Sequence, residues 1–123
     1  MTSLSQLPRV PLTAKDKAFL QEVTDLYEMA AKLYQENKNE PVDKRRYKVQ
    51  AKANGLRAKA VSKLIMWAGK TLKEPAPGFP YGSNHPRLKK AYDASYNYRT
   101  WGNDGAAQRA ASFLRSVIKR GWL

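Results

Sequence analysis

The stretch DKRRYKVQAKANGLRAKAVSKLIMWAGKTL, residues 43–72, decides the fold. Asp43 is a good N-cap in front of Lys44, Arg45 and Arg46, and the pattern that follows predicts helix as far as Leu72. Its weak point is Asn54-Gly55. That dipeptide often marks a turn, and glycine costs about 1 kcal/mol against alanine inside a helix, so the stretch reads either as one helix or as two meeting near residue 55. Read continuously at about 100° per residue, Tyr47, Ala51, Ala58, Val61, Ile65, Ala68 and Leu72 cluster on one side, the side expected to face the core.

Charge gives the same stretch a second order. Lys44 to Lys73 contains ten Lys or Arg residues, and no acid appears until Glu74. Arg45, Lys48, Lys52, Lys59, Lys63 and Lys70 fall within a stripe roughly 60° wide, which a continuous helix would extend over about 37 Å. A ladder of this kind suits a phosphate backbone. Each neutralised phosphate releases counterions, giving affinity that depends strongly on salt and little on sequence. Lysine outnumbers arginine along it, as expected for point-charge contacts rather than bidentate base reading. Arg46 and Arg57 lie off the stripe and are placed to pair with Glu22, Asp25, Glu28 or Glu36.

The remainder of the chain reads outward from this element. Residues 1–12 carry Pro8 and Pro11 and predict an extended N-terminal arm, followed by a single helical domain over 13–123. Thr13 with Asp16 three residues on marks a helix start, and Phe19, Leu20, Val23, Leu26, Tyr27, Ala30, Leu33 and Tyr34 continue it to about residue 37. Residues 73–86 hold four prolines and two glycines and form a loop between the helical halves. A third helix follows, with Ser83 or Asn84 near its cap, Pro86 in its first turn, and Leu88, Ala91, Tyr92 and Ser95 on its inner face. The Gly102-Asn103-Asp104-Gly105 break precedes a last helix whose stripe is Ala107, Ala110, Ala111, Leu114, Val117 and Ile118. Gly121 stops it, and Trp122 and Leu123 are placed to fold back on its last turn. With no sustained alternation and no internal repeat, the chain is expected to be all-α, a small bundle of four or five helices.

Composition bounds the function. The 123 residues carry 23 Lys plus Arg against 10 Asp plus Glu, a net charge of +13, with no cysteine and one histidine. Residues 1–43 hold five bases and seven acids, whereas residues 44–123 hold 18 bases and only three acids, a local excess of +15. A concentrated positive field calls for a polyanionic partner. Absence of cysteine excludes disulfides, Cys-based zinc sites, iron–sulfur clusters and thiol catalysis. No run approaches the roughly 20 apolar residues of a membrane span, and MTSLSQLPRVPL lacks the form of a secretory signal. A cytoplasmic protein without cofactor, metal or membrane partner is expected.

A second constellation interleaves Phe79, Tyr81, Tyr92, Tyr96, Tyr98 and Trp101 with Arg87, Lys89, Lys90 and Arg99. Flat rings stack on bases while adjacent cations hold phosphates, an arrangement that suits single strands. Tyr92 reads as core; Phe79, Tyr81, Tyr96 and Tyr98 are the candidates for stacking. Catalysis has little to stand on, since the basic part offers only Glu74, Asp93, Asp104 and His85 without ligand spacing, and no nucleophile elbow or phosphate loop. Helix-turn-helix readout would need Asn54-Gly55 to be its turn, yet the next residues, Leu56 to Ala60, offer few side chains suited to base edges.

The reading that results is a non-enzymatic protein that binds DNA or RNA. Arg45, Lys48, Lys52, Lys59, Lys63 and Lys70 carry the contact, helped by Arg87, Lys89, Lys90 and Arg99, and the protein serves as a small subunit or accessory factor of a larger nucleoprotein complex. The alternative is an inhibitor or adaptor that docks its basic face on an acidic or nucleic-acid-binding protein.

Overall fold

Thr13 starts the first helix with a complete capping box. The Asp16 N–H donates to Thr13 Oγ1 at 3.1 Å and the Thr13 N–H donates to Asp16 Oδ2 at 3.0 Å. The computed structural model describes residues 8–38, 41, 43–75, 87–96 and 104–123. Within these, α1 spans Ala14–Asn37, α2 Lys44–Trp67, α3 Lys89–Tyr96 and α4 Asp104–Arg120. The protein is all-α, a bundle of four helices among the described residues.

Helix α1 is the centre of the bundle, packed against α2 on one side and α4 on another, while α3 lies mainly on α4. Two neighbours demand a broad apolar stripe. It is supplied by adjacent buried pairs, Val23-Thr24 and Ala30-Ala31, added to Leu20, Tyr27 and Tyr34. The Thr24 hydroxyl is satisfied by the Leu20 carbonyl at 2.7 Å, so its burial leaves no orphan donor. Alanines line much of the interface, among them Ala53, Ala60, Ala91, Ala107, Ala110 and Ala111. Small side chains let helix axes approach closely, and Tyr27, Leu20, Leu64, Leu88, Tyr92, Leu114 and Val117 fill what remains.

Helix α2 runs without a break through Asn54-Gly55. The turn that the dipeptide suggested is absent, and with it the helix-turn-helix geometry. Asn54 accepts a short hydrogen bond from the Tyr34 hydroxyl, and a Cβ at Gly55 would have nothing within 4 Å. After Trp67 the helix widens into a π turn, Ala68–Leu72, and ends at Lys73, whose φ of 57° and ψ of 33° place a non-glycine residue in the left-handed region. Such a residue costs about 1–2 kcal/mol. The Glu74 N–H closes the turn on the Ala68 carbonyl at 3.2 Å.

The expected core side of α2 is wrong by about 110° on the helical wheel. Buried residues are Ala53, Arg57, Ala60, Leu64 and Trp67. Tyr47 is 58% exposed, Ala51 and Ala58 are also exposed, and Val61 and Ile65 sit at the margin. An arginine in the middle of the buried side disguised it. Arg57 is only 2% exposed and its guanidinium lies 5.4 Å from the centroid of the Tyr34 ring.

The arm is anchored over residues 8–12. Pro11 and Trp122 form an isolated antiparallel bridge. Around it, the Val10 N–H donates to the Leu123 carbonyl at 2.8 Å, Leu123 returns a bond to Val10 at 2.9 Å, and the Leu12 N–H reaches Gly121 at 2.9 Å. Gly121, at φ 82°, reverses the chain after α4 as expected of a helix stop. The Arg9 and Arg120 guanidiniums both lie over the Trp122 indole, 4.3 and 4.1 Å from its centroid, and Leu12 and Leu123 are buried beneath.

Candidate nucleic-acid interface

Asp43 fixes where α2 begins. Its Oδ1 accepts from the backbone N–H groups of Arg45 and Arg46 at 3.0 and 3.2 Å, which sets the phase of everything downstream. From that start, 24 residues of helix give a rod of about 36 Å. Arg45, Lys48, Lys52 and Lys59 project from one flank and are exposed; Lys70 is exposed on the π turn that extends it. No described carboxylate forms an ion pair with any of these five. Because the buried side is centred on Ala53, Ala60 and Leu64, the row lies about 100° from the core direction rather than opposite it.

That displacement explains Lys63, the innermost member of the row. It is half-buried at the α1 border, 3.9 Å from Glu22 and 5.9 Å from the centroid of the Phe19 ring. Lys63 therefore belongs partly to the α1–α2 contact. The acids of α1 are met differently from the expectation: Glu22 takes Lys63, Glu28 takes Arg115 of α4, and Arg57 goes to Tyr34. Burial raises the Tyr34 phenol pKa, and the nearby Arg57 charge and hydrogen bond act against that rise.

The second group of expected contacts divides. Lys89 and Lys90 are exposed at the start of α3. Arg87 is engaged inside the fold: its Nη1 meets Glu74 Oε1 at 3.1 Å and its Nη2 donates to the Pro8 carbonyl at 2.8 Å. This pair is largely buried, joins the end of α2 to α3, and holds the arm, so Arg87 is a structural cation where a phosphate contact was expected. Tyr92 is buried core, as read from the sequence; burial, Glu74 and Tyr27 raise its pKa. Phe79, Tyr81, Tyr98 and Arg99 lie outside the described residues, as do the side chain of Tyr96 and the loop segment 76–86.

Two exposed residues that the sequence alone did not mark for the site stand on the solvent side of α2, Met66 beside the lysine row and Tyr47 across from it, at the wheel angle of Ile65. Tyr47, expected on the core side, and Met66 are 58% and 74% exposed. On the wheel Met66 shares the angle of Lys48, a coincidence visible in the sequence once the true core side is known. Elsewhere a polar groove of about 350 Å³ lies between α1 and α4, floored by Ala31 and Ala111 and walled by Glu28, Lys32, Gln35, Gln108, Ser112 and Arg115. Among the described residues there is no group of three or more His, Cys, Asp or Glu side chains able to hold a metal. No helix there is long and apolar enough to cross a membrane.

Comparison of the chain with protein-family models, curated proteins and solved structures returns no match.

Proposed function

We propose that this is a non-enzymatic nucleic-acid-binding protein of the cytoplasm, a small subunit or accessory factor of a nucleoprotein complex. Arg45, Lys48, Lys52, Lys59 and Lys70 grip phosphates. The observation that carries the reading is that four of these cations are exposed along one unbroken helix and the fifth on the π turn that extends it, with no described carboxylate to neutralise them. Leaving like charges in a row is unfavourable for the isolated protein, and a polyanion relieves it by releasing its own counterions. Lys63 contributes less, because Glu22 already shares its charge.

The test is charge reversal. Lys48→Glu, Lys52→Glu and Lys59→Glu combined change only exposed side chains, so helical content by circular dichroism should be preserved. Affinity for mixed DNA and RNA should fall at least tenfold at about 100 mM salt. For the unaltered protein, five phosphate contacts imply a log–log salt slope between about −3.5 and −4.5, and the triple variant should flatten it. Unchanged affinity in the variant rules the reading out; a stoichiometric, nuclease-resistant protein complex lost on the same substitutions would instead favour docking on an acidic protein surface.

A further inference from the structure

We infer that the polymer held by α2 is a single strand lying along the helix, its phosphates on the lysine row and its bases over the adjoining solvent side between Tyr47 and Met66. The inference rests on the nucleic-acid reading above and adds the form of the ligand. Three observations carry it: the far flank of α2 bears no cation, the row is straight, and the solvent side beside it is exposed and, past Lys44 at its start, uncharged.

The one-sidedness separates a strand from a groove. A helix seated in the major groove runs between two phosphate strands and profits from cations on both flanks. Arg45, Lys48, Lys52 and Lys59 all occupy one flank of α2; the other carries Asn54, Val61 and Ile65. Only one line of phosphates is provided for.

Straightness separates a flexible strand from a duplex lying across the surface. The rod is about 36 Å long, close to one full turn of B-form duplex at about 34–36 Å. Over a full turn each duplex strand passes round the far side, so a straight row meets it for only part of its length. A single strand can bend to stay with the row. Successive cations are separated along the axis by about 4.5 to 10.5 Å, more than the roughly 3.4 Å per phosphate of a stacked duplex strand. An extended strand accommodates such spacing.

The surface beside the row supplies the base contacts. Between the lysines and a far edge at Tyr47, the solvent side carries Ala51, Ala58, Ser62 and Met66, all exposed and uncharged, with Lys44 as a cation at its N-terminal end. Tyr47 offers an aromatic ring for stacking and Met66 a polarisable flexible chain, about 28 Å apart along the helix. Bases are exposed for such contacts in a single strand and withdrawn in a duplex.

The experiment is fluorescence anisotropy on the full chain at fixed salt with three labelled probes. These are a thymidine single strand of about 20 nucleotides, an abasic strand with the same number of phosphates, and a mixed-sequence duplex of the same length. The base-bearing single strand should bind at least tenfold tighter than either of the others. Tyr47→Ala should weaken that probe about tenfold and leave the abasic strand and duplex unchanged, while Tyr47→Phe, which keeps the ring, should restore binding. If the three probes bind equally, or Tyr47→Ala weakens all of them alike, the single-strand inference falls. The nucleic-acid reading then survives only if Lys48→Glu, Lys52→Glu and Lys59→Glu still abolish binding; if no probe binds the unaltered protein, both fall.

Discussion

Residue 55 shows how one atom of side chain separates helix propensity from helix position. Gly55 lies on the solvent side of α2 with open space where a Cβ would stand, so nothing in the packing requires glycine. Gly55→Ala is therefore expected to stabilise the protein by up to about 1 kcal/mol, read as a higher urea midpoint with an unchanged slope. A lower midpoint would show that glycine is needed for a backbone path other than the continuous helix. Its neighbour Asn54, which looked like a turn residue, turns its side chain to Tyr34 and joins α2 to α1. Arg57 makes the complementary point. A cation that stacks on a buried tyrosine cannot be told from one that pairs with a carboxylate by charge alone, and expecting Arg57 among the α1 acids rather than in the core displaced the whole inferred core side.

At the scale of elements, helix ends were the most legible features. Thr13 with Asp16, Asp43 before the basic run, and Gly121 after α4 each mark a terminus through a local bond to the backbone, which a sequence read locally can anticipate. The rotation of α2 about its axis was not legible, because it depends on which neighbour it meets. Its lysine row is still exposed, since the true core side leaves that flank in water, whereas the exposure of Tyr47 follows only once the rotation is known. The Trp67 indole N–H donates to Asp16 Oδ1 at 3.2 Å, so one carboxylate both caps α1 and secures the end of α2.

That double duty has a pH signature. Partial burial acts to raise the Asp16 pKa, but the Thr13 backbone, the Trp67 indole, the Thr13 hydroxyl and the Lys15 charge outweigh it, and the net shift is downward. A lowered folded pKa means that the stabilisation is fully present above the unfolded value of about 3.9 and disappears as pH falls through the folded one. Asp16→Asn keeps only one acceptor oxygen for two donors and should cost about 1 kcal/mol at neutral pH. The gap should narrow in urea melts as pH falls below the ordinary carboxylate range and the native carboxyl takes up its proton; a gap that stays constant as pH falls would show that its charge is not involved.

For the molecule as a whole, the acids of α1 and the bases of α2 meet at only part of their contact, leaving the basic flank uncompensated. The arm and the last residues close the bundle through backbone bonds that are independent of salt. Val10→Pro removes the N–H that meets Leu123 and should destabilise by about 1 kcal/mol, visible in unfolding kinetics as a faster unfolding rate with little change in folding. A slower folding rate would place the bridge in the transition state. Its position along the chain argues against that. Val10 and Leu123 are separated by 113 positions, so at ordinary ribosomal speed Val10 waits about 6–23 s before its partner has been made. The α1–α2 hairpin is complete well before then. The bridge is thus set after the hairpin, and a nascent chain presents its lysine row before residues 8–12 have been fastened to residues 121–123.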